Sequence, residues 1–116
     1  MSQFIYKITP QAAWREAEAS GRFTGALIDV ADGFIHFSTA AQVRETAAKH
    51  FSGQVDLLLV AIDAASLGDA LKYEVSRGGA LFPHLYGVLE VNTVKWVKPL
   101  LLGADGAHQF PPLEAE

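Results

Sequence analysis

The stretch GFIHFSTAAQV, residues 33–43, decides what kind of fold this sequence can adopt. Large apolar residues surround His36, and they predict a strand over residues 34–37, with Gly33 supplying the turn that leads into it. An imidazole among apolar residues costs free energy unless its ring nitrogens are hydrogen-bonded. His36 is therefore either a satisfied core residue or part of a functional site.

The second half of this stretch predicts a helix. Thr39 and Gln42 have the spacing of a capping box, so we expect a helix over residues 40–51. His36 then lies at the end of a strand, immediately before a helix N-terminus. Free N–H groups and the positive end of the helix dipole favour an anion such as a phosphate there.

A second histidine has a similar setting in LFPHLYG, residues 81–87, where His84 stands between large apolar side chains. Pro83 fixes the backbone just before it. Histidine titrates near neutral pH, so His36 and His84 together indicate a pair that orients a ligand or transfers protons. Two core histidines with satisfied hydrogen bonds remain the alternative.

Two further polar features have both a functional and a structural interpretation. Glu74 follows an apolar strand and is either a residue that orients a hydroxyl or acts as a general base, or an exposed carboxylate. Arg77, followed by two glycines, gives a guanidinium and free backbone amides that suit a phosphate or a carboxylate. A mobile surface turn explains the same residues.

Aromatic residues complete the candidate site. Phe82, Tyr86 and Tyr6 are suited to stack on a base, although aromatic residues at strand spacing are usually core. We predict that the polar residues of both clusters converge on one pocket: His36, His84 and Tyr86, with Ser38, Thr39, Tyr6 and Glu74 around them. No metal site is predicted because the histidines are dispersed. His50 is expected at the surface and His108 in a polar tail.

The bulk composition restricts the class of protein. The chain has 116 residues, of which 50% are hydrophobic and 19% charged, as in one ordinary globular domain. It has no cysteine and no signal-peptide pattern, and its longest apolar stretch, residues 57–62, is too short to span a membrane. We therefore expect a cytoplasmic protein without membrane association. A net charge of −4 argues against non-specific nucleic-acid binding but allows a pocket for one nucleotide.

The remaining pattern predicts a single α+β domain over residues 1–102, followed by an irregular tail over residues 103–116. Two helices are expected to pack on mixed or antiparallel sheets. The other predicted elements are a strand at Phe4–Ile8, a helix at Pro10–Ser20 with Thr9 as its N-cap and Gly21 as its end, a buried strand at Val55–Ile62, and strands at Ala70–Val75, Tyr86–Val91 and Thr93–Val97, the last ended by Pro99.

At these residues the sequence resembles the family named domain of unknown function 952. The resemblance covers most of the chain, from Ile5 and Tyr6 through Trp14, the GFIHFSTAAQV stretch and LFPHLYGVL. The two histidine motifs are its specific part.

A more distant resemblance adds expectations about chemistry. His36-Phe37-Ser38, a helix, the strand Leu57–Ile62 and then Asp63-Ala64 are similar to the C-terminal lobe of the RNA 2′-phosphotransferases, which belong to the ADP-ribosyltransferase-like superfamily. The resemblance implies a cleft between two antiparallel-rich sheets that binds NAD or an ADP-ribosylated intermediate. His36 would bond a ribose hydroxyl or a phosphate there. Lys7 departs from the Arg or His that related transferases carry on the first strand.

Three functions follow as hypotheses. The first is a transferase-like enzyme, ADP-ribosyltransferase-like or phosphotransferase-like, that acts on NAD, an ADP-ribose-like ligand or another nucleotide-like phosphate ester. Its catalytic residues would be His36, His84 and Glu74. Its ligand-binding residues would be Tyr6, Ser38, Thr39, Arg77, Phe82 and Tyr86. The alternatives are a non-catalytic domain that binds such a ligand, and a protein-interaction module with structural histidines.

Overall fold

The centre of the fold is a strand whose apolar run LLLVAI is buried on both faces. The computed structural model describes residues 3–25 and 27–113. In chain order its α-helices and strands are β1 (Phe4–Pro10), α1 (Gln11–Ser20), β2 (Arg22–Phe23), α2 (Leu27–Asp32), β3 (Ile35–His36), β4 (Ser38–Thr39), α3 (Val43–His50), β5 (Leu57–Asp63), β6 (Leu71–Val75), β7 (Leu81–Leu85), β8 (Leu89–Glu90), β9 (Val94–Leu102) and β10 (His108–Gln109).

The buried strand predicted from the sequence is β5, which lies in the middle of a five-stranded sheet of order β10-β9-β5-β1-β4. The first six residues of β5 are each 9% exposed or less. Both neighbours run antiparallel to it, with β1 paired from Phe4↔Asp63 to Pro10↔Leu57. Neighbours on both edges and cover on both faces explain why its sequence is apolar throughout rather than alternating.

Each face of this sheet carries its own apolar cluster. Successive residues of a strand point to opposite faces, so Ile5 packs in a cluster with Trp14 and Val60, while Tyr6 packs in the other with Val43. Helix α1 therefore covers one face and α3 the other. The domain is a compact α+β unit in which every strand pair between described residues is antiparallel.

The strand predicted at residues 34–37 is wrong in one respect that shapes the site. Only Ile35 and His36 form a strand there, β3, which joins a three-stranded sheet of order β3-β7-β6. The next strand, β4 at Ser38–Thr39, belongs to the five-stranded sheet and borders β1. Between them, the Phe37 N–H donates to the Pro83 carbonyl at 2.9 Å. The chain therefore crosses from the small sheet to the central sheet at Phe37, and the antiparallel sheet curls around this point.

The helix predictions are confirmed in position and corrected at their ends. Helix α1 ends at Gly21, which has the predicted left-handed conformation with φ 83°. Thr9 is not its N-cap, because β1 continues through Pro10 to complete the pairing with β5. Helix α3 begins at Val43 rather than at residue 40, because residues 40–42 form a turn. Only one half of the capping box forms: the Thr39 N–H donates to Oε1 of Gln42 at 3.1 Å.

A third helix, α2, was not predicted, and the later strands are shifted. The strand expected at residues 86–91 is replaced by β7, which precedes it, and by the short β8 paired with β2. Pro99 does not end β9. Strand β10 covers only Leu101 and Leu102, so a proline at position 99 can face the uncovered edge without removing a ladder bond. The segment after residue 102 is thus partly ordered by β10.

None of the helices within residues 3–25 and 27–113 is long and apolar enough to cross a membrane.

The glycines that flank α2 and α1 give a matched test of the fold. A Cβ at Gly25, which has φ 112°, would lie 2.6 Å from Cβ of Asp29, whereas a Cβ at Gly21 would meet nothing within 4 Å. We expect Gly21→Ala to cost about 1 kcal/mol of unfolding free energy, the strain of a left-handed residue. Gly25→Ala should cost more, about 2–3 kcal/mol, because Asp29 must also move. Urea unfolding of both variants measures the difference, and equal losses would contradict it.

Candidate functional site

The two histidines singled out in the sequence lie side by side on neighbouring strands. The register of β3 and β7 places His36 opposite His84, and their ring centroids are 5.4 Å apart in an edge-on arrangement. Phe34 lies against both rings, stacked on His84 at 4.2 Å and tilted towards His36 at 4.6 Å. Three rings therefore fix one another's positions at the junction of the small sheet and the central sheet.

A cavity of about 400 Å³ opens beside these rings, between the two sheets and α3. Its apolar wall contains Ile8, Phe37, Phe51 and Phe82. Its polar wall combines basic and hydroxyl side chains: Tyr6, Lys7, His36, Ser38, Thr46, His50, Ser76 and His84. No aspartate or glutamate is among the described residues that line it, although the chain as a whole is acidic.

A buried carboxylate behind this wall holds two of its basic side chains. Asp29, on α2, is 1% exposed. Its Oδ1 accepts hydrogen bonds from Nζ of Lys7 at 3.0 Å and from the backbone N–H of His36 at 3.0 Å, and it lies 2.6 Å from Nδ1 of the same histidine. Its Oδ2 is 2.8 Å from Nζ of Lys7. Helix α2 is thereby joined to β1 and β3 through one side chain.

The ionisation of this group is set by burial and by its partners. Burial raises the pKa of Asp29, but the hydrogen bonds and charge supplied by His36 and Lys7 outweigh it, so the pKa of Asp29 lies well below its usual range. Burial lowers the pKa of Lys7, and the charge and hydrogen bond of Asp29 oppose that shift. We assign the pair as ionised. If Asp29 took the proton of Lys7, its carboxyl group would accept fewer hydrogen bonds, and buried donors that now contact it would lose their acceptor.

His36 has a carboxylate at each ring nitrogen. Nδ1 faces Asp29, and Nε2 lies 2.9 Å from Oδ2 of Asp32, a residue at the exposed end of α2. Both ring nitrogens of His36 are therefore engaged by carboxylate oxygens.

His84 has one carboxylate partner, and the arrangement leaves its other nitrogen open. Nδ1 lies 2.7 Å from Oε1 of Glu74, and the Tyr86 hydroxyl donates to the same oxygen at 2.8 Å. Nε2 has no hydrogen-bond partner among the described residues, and the side chain lines the cavity. The hydrogen bonds from His84 and then Tyr86 lower the pKa of Glu74, and the same bond to Glu74 raises the pKa of Tyr86.

The other predicted site residues divide into those at the cavity and those away from it. Tyr6, Ser38 and Phe82 line it, and Ser38 is bonded to the Thr46 hydroxyl at 2.8 Å. Glu74 and Tyr86 reach the cavity only through His84. Thr39 is not part of the cavity wall. The side chain of Arg77 lies outside the described part of the chain.

Helix α3 contributes differently from what the capping pattern indicated. The residues it brings to the cavity are Thr46 on its flank and His50 at its carboxyl end, followed by Phe51. The prediction that His36 lies against the amino end of this helix is therefore wrong. The turn at residues 40–42 separates β4 from the helix and places its first residue beyond the site.

Asp29 is the main residue that the sequence prediction missed. His50 is exposed at the surface, as predicted, and it also lines the cavity. Asp29 interrupts the apolar run LIDVA, residues 27–31, in the way that His36 interrupts its own run. An isolated charge in apolar sequence was thus the available signal. Within the described residues, no cluster of three or more His, Asp or Glu side chains has an arrangement suited to a metal ion.

A protein-family model matches residues 8–97, well over half of the chain. That family is described as a protein of unknown function, DUF952. The chain belongs to the DUF952 family. The motifs GFIHFSTAAQV and LFPHLYGVL therefore led to the correct family.

Solved structures of another protein show the same fold. The crystal structure of CC0527 from Caulobacter crescentus is 54% identical, covers 91% of this chain and 93% of its own, and superposes with a TM-score of 0.88. The solution structure of the same protein gives a TM-score of 0.83 over 91% of each chain at 54% identity. No curated protein matches the sequence. The more distant resemblance to the ADP-ribosyltransferase-like superfamily is not confirmed by these matches.

The Asp29 contacts predict unequal effects for the two aspartates that face His36. Asp29→Asn should lower the unfolding free energy by about 3–5 kcal/mol, because it leaves the Lys7 ammonium buried without its counter-charge. Asp32→Asn should cost less than about 1 kcal/mol, because that side chain is 46% exposed. Guanidinium unfolding of the two variants, alongside the native chain, gives both values. A loss below about 1 kcal/mol for Asp29→Asn would contradict the assignment of an ionised pair.

The same group predicts the direction of acid sensitivity. Since the folded pKa of Asp29 lies below its ordinary value of 3.8, its contribution to stability is present above that value and is lost as the pH falls towards the folded pKa. The difference in unfolding free energy between the native chain and Asp29→Asn should be largest at about pH 6 and should become smaller between about pH 5 and pH 2. Urea unfolding across this range tests it. A difference that stays constant across this pH range would show that Asp29 has the same pKa in the folded and the unfolded chain, which would contradict the prediction.

Proposed function

We propose that this protein binds a small anionic ligand of the nucleotide-like phosphate-ester class in the cavity beside His36 and His84. The observation that carries the proposal is the composition of the cavity wall. Residues with basic and hydroxyl side chains line the cavity, whereas Asp29 and Asp32, which pair with Lys7 and His36, are not among the described residues that line it. An anion in the cavity would therefore meet basic and hydroxyl residues rather than carboxylates.

The apolar part of the wall favours a ligand that also carries a ring. Phe37, Phe51 and Phe82 border the same cavity as Lys7 and the histidines. A volume of about 400 Å³ is within the usual range for small-molecule sites, in which apolar walls hold a ring and a few polar groups fix its orientation. A nucleotide combines an aromatic base with an anionic ester, which matches both parts of the wall.

Catalysis on such a ligand is the second candidate. The supporting observation is that Glu74 lies 2.7 Å from Nδ1 of His84, a residue that lines the cavity, while Nε2 has no hydrogen-bond partner among the described residues. A transferase-like activity on NAD or an ADP-ribose-like ligand, related to the ADP-ribosyltransferase-like or phosphotransferase-like enzymes, is the specific form of this candidate. An interaction module with structural histidines is the outcome if no ligand binds. A cytoplasmic location remains a prediction from the sequence.

A binding panel tests the proposal. The ligands are AMP, ADP-ribose and NAD, with adenosine as the uncharged control, each measured by calorimetry and by thermal unfolding. We expect the anionic ligands to bind more tightly than adenosine by at least about tenfold, equal to about 1.4 kcal/mol. At a hundred times its dissociation constant a ligand should raise the unfolding free energy by about 2.7 kcal/mol.

Variants test whether the ligand binds in the cavity or elsewhere on the surface. The double variant Lys7→Met, Asp29→Asn removes the buried pair without leaving one charge alone, and it should weaken AMP binding by about tenfold or more. His108→Gln is the control, because His108, whose ring lies 2.9 Å from the Gln54 carbonyl, is not among the residues that line this cavity. Equal affinity for AMP and adenosine, or unchanged AMP binding by the double variant, would refute an anion site here.

A further inference from the structure

We infer that strand β6 is a docking surface for a second copy of this chain. The two β6 strands pair antiparallel about a two-fold axis at Tyr73, which joins the two three-stranded sheets into one continuous sheet. The segment that carries the inference is LKYEV, Leu71–Val75. No residue of β6 is among the described residues that line the cavity, so the inference is independent of the proposed ligand.

Strand β6 ends the small sheet, and no strand in the described part of the chain pairs with its outer edge. The opposite strand fixes where its backbone groups point. Pro83, which pairs with Tyr73, has no N–H, and its carbonyl accepts from the Phe37 N–H on the β3 side. Antiparallel ladder bonds alternate along a strand, so Lys72 and Glu74 bond β7. The odd-numbered residues of β6 therefore direct their N–H and C=O groups to the outer edge.

Two opposite charges share one face of this edge strand. Lys72 and Glu74 are two residues apart, so their side chains leave the same face of the sheet. Within the described chain the Lys72 ammonium has no ion-pair partner, and Glu74 uses only Oε1, which contacts His84 and Tyr86. Each copy thus offers one uncompensated cation and one carboxylate oxygen without a hydrogen bond.

These charges select one register of pairing. A two-fold axis normal to the sheet places one residue of β6 opposite its own copy. With Lys72 or Glu74 on the axis, like charges lie opposite each other, which destabilises a sheet. With Tyr73 on the axis, Lys72 of each copy lies opposite Glu74 of the other, and Leu71 lies opposite Val75. Opposite charges and apolar pairs both stabilise cross-strand contacts, so β6 is complementary to itself in this register.

The backbone is compatible with the same register. Hydrogen-bonded pairs alternate outward from the axis, so the Val75 N–H of each copy donates to the Leu71 carbonyl of the other. The Leu71 N–H already donates to the Gly68 carbonyl within its own chain. The carbonyl of Leu71, rather than its N–H, therefore serves the second copy.

An exposed apolar patch lies on the opposite face of β6. Val75 is 69% exposed, and Leu81, which pairs with it on β7, is 52% exposed. Tyr73 is 40% exposed on the same face. Exposed β-branched and aromatic side chains on an edge strand favour pairing with another strand. A second copy covers Tyr73 and Val75 with its own Tyr73 and Leu71.

Sedimentation equilibrium of the full chain is the first test. We expect the mass to rise from one chain to two between about 1 μM and about 1 mM. Lys72→Glu places like charges opposite each other on both sides of the axis and should weaken association by about tenfold or more. Val75→Lys should also weaken it, because lysine on an edge strand opposes pairing. Lys95→Glu, at an exposed position on β9, is the control with the same change of charge.

A charge exchange tests the register. Glu74→Lys should weaken self-association as Lys72→Glu does, but a mixture of the two variants restores an opposite charge at every position and should associate as heterodimers. Both variants remain net acidic, so overall charge attraction does not explain that result. The double variant Lys72→Glu, Glu74→Lys should again form homodimers. Circular dichroism verifies that each variant is folded, since Glu74→Lys also loses the contact with His84.

Thiol cross-linking locates the axis. The chain has no cysteine, so Tyr73→Cys provides the only thiol, and the axis brings the two copies of it together. A short bis-maleimide should link this variant efficiently. Val30→Cys is the control, because Val30, on α2, is 64% exposed and so collides with other molecules more readily than Tyr73 does.

Several outcomes overturn the inference. One is a chain that stays monomeric up to about 1 mM. Another is a dimer that is unaffected by both Lys72→Glu and Val75→Lys, which assigns the contact to a different surface. Failure of the mixed charge variants to associate, or equal cross-linking at positions 73 and 30, also contradicts it. Absence of AMP binding overturns only the proposed function and leaves this inference standing.

Discussion

One buried carboxylate organises the site. Asp29 accepts hydrogen bonds from Lys7 on β1 and from both the backbone and the ring of His36 on β3, and it stands on α2. A charge removed from water in this way is stable only when its partners are present. The two strands and the helix therefore have to come together as a unit. The cavity depends on this unit because Lys7 and His36, which both line it, contact the same side chain.

The change of sheet at Phe37 gives the cavity its shape. On one continuous strand His36 and Ser38 would share a face of a single sheet. Here His36 pairs with His84 in the small sheet, and Ser38 borders β1 in the central sheet. The cavity lies between the two sheets and α3. The change of sheet thus brings His36 and Ser38 to its wall from two different sheets.

The carboxylates also explain how two similar histidines become different. His36 meets Asp29 and Asp32, one at each nitrogen, whereas His84 meets only Glu74. The number of carboxylates around a ring therefore decides whether both of its nitrogens are engaged, as in His36, or whether one is left without a hydrogen-bond partner among the described residues, as in His84.

The sequence by itself determined the central strand, the end of α1 at Gly21, the family, and the two histidine clusters, since all of these are encoded in local patterns of apolar and polar residues. It did not determine the break at Phe37, the start of α3 at Val43 rather than at residue 40, or the position of Asp29 between two strands. Those depend on partners distant in the chain: the Pro83 carbonyl bonds the Phe37 N–H, and Lys7 is 22 residues away from Asp29. Local sequence gives the periodicity of an element, but only tertiary packing decides which buried donors and acceptors meet.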